Sequence, residues 1–420
     1  MKKSVLLRGP LLTRSGYGEQ ARFALRSLRS REDLFDIYIH PLEWGQTSWL
    51  NEETEERSWI DERVEETIVK IQNGETFDYS LQVTIPNEWE KIAQTNIGYT
   101  AGIETTKVAH QWIEKGNTMD KIIVVSNHAK NVFENTSYEA QIEQTGEKVT
   151  LKSTTPIDVV NYPVKEYDDL DEVLLPDLEK ITTEYNFISI AQMGPRKNMG
   201  NMLKWFIEEF HDDPDVGLVV KTNFAKNSLI DRDVTHGKIS TLVRQFPDKK
   251  CKIYLIHGDL TDKEIHALHV HPRIQAAVLL SHGEGFGLPL FEAAYSGLPV
   301  VTTGWSGQLD FLCDAQKKTK FYNVGFDINS IPEEVVWDGV LLKESMWAYP
   351  REGSAKENMR KCIEDIKSGD TQEAQEWGAY LREEFAEEKM YEQFITAMGI
   401  DEQDFDIENW IEGLDVEEIE

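Results

Sequence analysis

The chain has 420 residues, 40% hydrophobic and 28% charged, with 44 basic against 75 acidic side chains and a net charge of −31. That length accommodates two ordinary domains with a core each, and the acidic balance disfavours nonspecific attraction to nucleic acid or anionic lipid. No apolar run reaches the ~20 residues needed to span a bilayer, and Cys251, Cys313 and Cys362 lack metal-ligand spacing, so the expected compartment is the cytoplasm, without stable membrane attachment.

At the N-terminus SVLLR reads as a buried first strand and not as a signal peptide. The stretch GPLLTRSGYGEQARFAL follows as a glycine loop and a helix from about Glu19 to Leu28. Gly16-Tyr-Gly18-Glu-Gln-Ala21 fits the dinucleotide fingerprint G-x-G-x-x-A, so a nicotinamide-dependent oxidoreductase is one reading. Two features oppose it: Pro10 to Ser15 intervene between Gly9 and the fingerprint, and the next strand, FDIYIH, ends in His40 where an acid is needed for the ribose. Arg8, Arg14, Arg22, Arg26, Arg29 and Arg31 gather here, with Arg22, Arg26 and Arg29 on one helical face. They form either a solvated face or a positive rim beside an acceptor cleft, with Arg14 and Arg22 as acceptor-binding candidates.

Residues 51–70 predict a charged surface helix, YSLQVTIPNEW and TNIGYTAGIETT strands with loops, IIVVS a strand, and the segment from Asn127 another helix. His110 and His128 are candidates for acid–base work near neutral pH, against a structural role for either. A linker is expected between about Val164 and Tyr185. Beyond the strand FISIAQ, Arg196 and Lys197 open a helix, where cations oppose the dipole, so they imply a bound anion; Lys221, ending the strand GLVVK, is a further cation. Asp231-Arg-Asp233 and Asp213-Pro-Asp215 read as solvated turns, and His266, His269 and His271 as a surface cluster without a metal.

Ala276 to Thr303 reads strand, loop, helix, strand. Gly283, Gly285 and Gly287 allow a ligand close to the backbone, the amides from Phe286 to Leu288 suit a phosphate, and Glu284 and Glu292 suit hydroxyl groups. Residues 372–398 carry one long amphipathic helical pattern. The acidic tail beyond Ile400 retains Phe405, Trp410 and Ile411, which predicts that it docks.

Glu284-Gly-Phe-Gly-Leu-Pro-Leu-Phe-Glu292, followed by Ala-Ala-Tyr-Ser-Gly-Leu-Pro-Val-Val, resembles the E-x7-E signature of retaining glycosyltransferase family 4. The resemblance implies an α/β GT-B fold of two Rossmann-like domains facing across a cleft. Residues 1–175 would form the acceptor side, with a return helix at about 378–400; residues 183–377 would bind the nucleotide-sugar, and residues 401–420 would be an acidic tail. It also implies a catalytic set of Lys197, Arg196, Glu284 and Glu104, with Gln192 in the family's usual arginine place and Arg196 substituting. Gly16 and Gly18, Lys221, Ile256 and His257, Gly285, Phe286, Gly287, Leu288 and Glu292 would bind the donor, and residues 304–312 would close its pocket. The nucleotide-sugar is then a substrate, UDP-linked ahead of GDP- or ADP-linked, with no cofactor and no metal. A glycan is the first acceptor and a modified DNA base the minority one. A noncatalytic sugar- or nucleotide-binding protein of the same fold is the rival reading.

Overall fold

The computed structural model describes residues 2–45, 47–50, 53–141, 146–175 and 177–400. The docking expected of Phe405, Trp410 and Ile411 lies outside the described residues.

The first parallel sheet contains β1 (Lys3–Gly9), β2 (Phe35–Pro41), β3 (Tyr79–Val83), β4 (Thr95–Thr100) and β5 (Lys121–Val124). A separate antiparallel hairpin, β6 (Ser137–Gln141) and β7 (Lys148–Lys152), precedes β8 (Ile157–Val159), which completes the sheet in the order β2-β1-β3-β4-β5-β8. Its inner strands β3, β4 and β5 are buried on both faces, the pattern of a sheet covered by helices on each side, whereas the edge strand β2 alternates buried and exposed residues. Those helices are α1 (Gly16–Arg29), α2 (Glu55–Gln72), α3 (His110–Gly116) and α4 (Asn127–Asn135).

The second sheet comprises β9 (Tyr185–Ile190), β10 (Val216–Lys221), β11 (Lys252–Ile256), β12 (Ala276–Leu279), β13 (Val300–Thr303) and β14 (Tyr322–Val324), ordered β11-β10-β9-β12-β13-β14. Around it lie α5 (Met199–Glu209), α6 (Leu229–Val243), α7 (Asp262–Val270), α8 (Leu288–Tyr295) and α9 (Leu309–Leu312). In both sheets the winding direction reverses beside the first strand, which opens a crevice at the carboxyl ends. Because β9 and β12 are hydrogen-bonded neighbours, the loops after them emerge side by side. That topology brings Arg196 and Lys197 to Glu284.

The C-terminal part adds a hairpin, β15 (Phe326–Ser330) with β16 (Met346–Pro350), then α10 (Glu352–Ser368), α11 (Gln372–Glu384) and α12 (Glu387–Ala397). The single helix expected over 372–398 is two helices: Ala386 is extended (φ −55°, ψ 145°), and the Phe385 carbonyl accepts from the Val164 amide at 2.8 Å. The apolar spacing runs on through this break, which explains the misreading, but the chain turns there to change domains. Helix α11 packs on α8 and α12 on α1. Phe394 of α12 is fully buried, its ring 5.3 Å from Phe23 and 5.1 Å from Tyr99.

Candidate active site

The turn after β9, Pro195–Lys197, ends at Asn198, whose left-handed backbone (φ 52°) starts α5. The Asn198 amide side chain donates to the Leu280 carbonyl at 3.0 Å, fastening this turn to the end of β12. Arg196 donates through Nη1 to the Gly283 carbonyl at 2.6 Å and to Glu284 Oε2 at 3.0 Å, while its Nη2 lies 3.1 Å from Glu104 Oε1 in the first domain. Lys197 Nζ reaches Glu284 Oε1 at 2.7 Å. The Glu284 backbone N–H donates to Ser306 Oγ at 2.8 Å, and Ser306 itself has a left-handed backbone (φ 79°).

Glu284 is 4% exposed. Burial alone would raise its carboxyl, but Lys197 and Arg196 override that and hold it at about 2. Burial pulls Lys197 below the usual ammonium range, with Glu284 opposing. Burial also works against the Arg196 cation, yet Glu104 and Glu284 hold it above its ordinary value. The bound anion inferred from Arg196 and Lys197 is, in this structure, a pair of the protein's own carboxylates.

The contact from Arg196 to Glu104 crosses between the domains, and Glu104 is half-buried. Glu104→Gln is expected to lower stability by about 1 kcal/mol at low ionic strength, with a smaller loss in 1 M salt, read from urea denaturation. Equal midpoints for variant and wild type at low salt would show that the ion pair holds nothing together.

The glycine-rich loop corrects a second expectation. A Cβ on Gly283 would stand 2.6 Å from the Glu104 carbonyl oxygen, and one on Gly285 would stand 2.7 Å from that of Ala101. The Gly285 carbonyl also accepts from Ser126 Oγ at 2.6 Å. These glycines admit the backbone of the first domain, not a ligand. Gly287 has a separate requirement: its φ of 101° starts α8, and its carbonyl accepts from the Leu290 and Phe291 amides. Phe286 is buried against Phe291 and Phe311, and Leu288 lies in the wall beside Glu292.

Glu292, on α8, faces a different wall. It lines a cavity of about 20 Å³ together with Glu19 and Arg26 of α1, Lys165 of the connecting segment and Tyr295. Burial raises its carboxyl to about 8, while Lys165 pulls it back and Asp262 and Glu19 push it further up. Glu19 is held by Lys165 at 2.6 Å and Arg22 at 3.0 Å. A space this small admits about one water, so any sugar ring enters only when α1 and α8 separate. Neither Glu19 nor Lys165 was legible as a site residue, since nothing in their spacing connects them to Glu292.

Several expected site residues are committed elsewhere. Arg22 is 7% exposed and donates to the Leu11 carbonyl at 2.8 Å and the Thr13 carbonyl at 3.0 Å, so it braces the loop before α1 and offers no guanidinium to an acceptor. Arg14 donates to the Leu260 carbonyl at 3.1 Å across the domain boundary. The positive rim is largely compensated: Arg26 grips Glu56, and Arg29 and Arg31 pair with Glu32 and Asp33. A Cβ on Gly18 would overlap the Thr13 carbonyl oxygen, and its amide donates to Ser15 Oγ, so its role is packing and capping; Gly16 is exposed at the start of α1. That arrangement leaves no dinucleotide cradle at the end of β1, which closes at Gly9.

Lys221 is 9% exposed, lowered by burial, and donates to the Gly258 carbonyl at 2.8 Å. Ile256 packs in the core, and His257 directs Nε2 to Asp231 Oδ2 at 2.9 Å. Asp231 is therefore no solvated turn. It sits in the first turn of α6, 7% exposed, and accepts from the Phe224 and Ala225 amides as well. Gln192 is tied to the Phe224 carbonyl, and Glu284 is held by Arg196 and Lys197. The histidine cluster is also not wholly at the surface: His269 is 1% exposed and lowered by burial to about 3, and His266 packs between Tyr167 and Tyr295. His110 is exposed beside Glu114, and burial lowers His128 to about 4 next to Trp305.

Among the described residues, no three His, Cys, Asp or Glu side chains gather to hold a metal ion, and no helix is long and apolar enough to cross a membrane.

Residues 252–334 match the family described as glycosyl transferases group 1. A segment of 118 residues is 30% identical to the serotype-specific mannosyltransferase WbdA of Escherichia coli, covering 28% of this chain and 13% of that protein. The chain thus spans about an eighth of the length of the curated relative it matches. Among solved structures, Anabaena Alr3699/HepE in complex with UDP and glucose superposes with a TM-score of 0.59 at 11% identity, covering 94% of this chain and 99% of that one. Sucrose-phosphate synthase from Thermosynechococcus elongatus gives 0.57 at 10% identity over 93% and 97% of the two chains. The chain therefore has the GT-B fold, and its second domain carries the glycosyl transferases group 1 segment.

Proposed function

We propose that this chain is a retaining glycosyltransferase that moves a sugar from a UDP-linked donor to an acceptor hydroxyl, a glycan first, without a metal ion. The observation that carries this reading is the convergence of Lys197 and Arg196 on buried Glu284 at the carboxyl ends of β9 and β12. A leaving nucleoside diphosphate gains negative charge as the anomeric carbon becomes electron-poor, and fixed cations lower that barrier most when water is excluded. The arriving diphosphate competes with Glu284 and Glu104 for the two cations. Glu284, released, can accept hydrogen bonds from the sugar's hydroxyls, and Glu292 from those of the ribose once α1 and α8 part. In a same-face displacement the departing phosphate oxygen takes the acceptor's proton, so the chain supplies orientation and positive charge and no dedicated base.

The group 1 match and the UDP and glucose held by the Anabaena neighbour support a nucleotide-sugar donor. The pairing of Arg26, Arg29 and Arg31 with acids favours a glycan over a modified DNA base. The cytoplasm, where nucleotide-sugars are at hand, suits such an enzyme. A thermal-shift panel of UDP-, GDP- and ADP-sugars, followed by an assay of nucleoside diphosphate release, tests the reading. The expected result is a raised Tm with a UDP-sugar and UDP release that depends on an added glycan or other hydroxyl acceptor. No shift with any nucleotide-sugar and no release would overturn it.

A further inference from the structure

A cavity of about 270 Å³ lies apart from Glu284, between the loop before α1, the start of α2 and the start of α7. Its charge runs against the rest of the chain. Arg14, Arg26, Arg57 and Lys263 line it with Glu56 and Asp262, in a protein whose net charge is −31; Arg22 also borders it but is spent on the Leu11 and Thr13 carbonyls, and Arg57 pairs with Asp61 at 3.0 Å. Glu56 is already engaged by Arg26 in a two-point contact at 2.8 and 3.0 Å, and Asp262 lies 2.8 Å from Lys165. Lys263 is half-buried and makes no ion pair with a described residue.

A second feature reinforces these side chains. Thr54 and Thr261, the N-caps of α2 and α7, both line the cavity, so two helix N-termini open onto it from opposite domains. Each helix end carries partial positive charge, met in part by the helices' own first-turn acids, Glu55 and Glu56 on α2 and Asp262 and Glu264 on α7. Cations from both domains and two convergent helix ends suit a doubly charged group better than a single carboxylate. The volume exceeds what a bare phosphate fills and approaches the roughly 300 Å³ at which small-molecule sites begin. Leu12, Leu50 and Ile60 supply an apolar wall on which the face of a sugar ring can rest.

We infer that this cavity seats the phosphoryl group of a phosphorylated sugar, which serves as the acceptor. The assignment of acceptor rests on the transferase reading above; the assignment of a phosphoryl site rests on the cavity alone. Both domains contribute to the wall, so occupancy draws α1 and α2 toward α7.

Isothermal titration of the full chain separates the possibilities, with inorganic phosphate, glucose, glucose 6-phosphate and mannose 6-phosphate as probes, each with and without saturating UDP. One hexose phosphate is expected to bind at least ten-fold tighter than inorganic phosphate and than glucose, with UDP still able to bind. Lys263→Glu is expected to weaken that binding at least ten-fold while leaving UDP affinity within two-fold. Arg57→Gln is the second variant, and the retained UDP response shows that each variant is folded. Competition with UDP would assign the phosphoryl group to the donor's site and overturn the inference. So would equal affinity for inorganic phosphate and the hexose phosphates, no hexose phosphate binding, or an unchanged affinity in both variants. Loss of UDP binding in the wild type would instead defeat the transferase reading and leave the phosphoryl site standing or falling on its own titration.

Discussion

Lys197→Ala is expected to reduce turnover by about 10²- to 10³-fold, while donor affinity changes by much less. The asymmetry follows from where the charge develops. In the ground state the diphosphate is already anionic, and Arg196 remains to meet it. In the transition state extra charge collects on the leaving oxygen, and the buried Lys197 ammonium, 2.7 Å from Glu284 before the donor arrives and turned to the diphosphate once it has, is already in place to receive it. Glu284 keeps Arg196 as a partner at 3.0 Å in the variant, so its carboxylate is not left wholly uncompensated and the fold should persist. Lys197→Arg restores the charge but not the compact ammonium, and is expected to recover part of the lost turnover. Single-turnover rates and donor titration, measured on the same preparations, separate the two effects. Turnover within two-fold of wild type would remove Lys197 from the chemistry, and a large loss of affinity with normal turnover would make it a ground-state binding residue.

Much of this arrangement was legible in the sequence because local chemistry and topology agree there. The apolar runs before Gly283 and after Pro299, with glycines and acids between, specify a strand end, and neighbouring strands deliver Arg196 and Lys197 to it. The identity of their partner was not legible. Two cations before a helix announce an anion, but only the folded chain shows that Glu284 and Glu104 take that place. The glycines were similarly ambiguous: a missing Cβ permits close approach, and sequence cannot say whether Ala101 or a ligand approaches. Arg22 misled for a related reason. Helical spacing puts it on a face with Arg26 and Arg29, yet the loop before α1 folds back and presents two carbonyls to its guanidinium. The hairpins β6–β7 and β15–β16 left no clear signal: β6, β7 and β15 are largely exposed and polar, and β16, though mostly buried, is a short run without a strand pattern of its own.

The pH dependence of donor binding is the sharper test of Glu292. Burial lifts its carboxyl to about 8, well above the usual glutamate range, so the folded state retains a proton that the unfolded chain has lost. The sign follows: as pH rises from about 4.5 to about 8 this group lowers stability progressively, and above about 8 its contribution is constant. Glu292→Gln escapes that loss, so its Tm relative to wild type should rise across this window. Donor affinity should move the other way. If the ionised carboxylate accepts the ribose hydroxyls, its population grows from about a tenth at pH 7 to about three-quarters at pH 8.5, and wild-type binding tightens about eight-fold. The glutamine variant should show a nearly flat profile and bind several-fold more weakly at pH 8.5. A flat wild-type profile with an unchanged Tm difference would mean that Glu292 stays ionised throughout. A variant that tracks wild type in both affinity and pH dependence would instead place the ribose elsewhere. The same carboxyl therefore links two opposed measurements, because the burial that makes its charge unfavourable in the closed protein is relieved when a hydroxylated ligand supplies the missing hydrogen bonds.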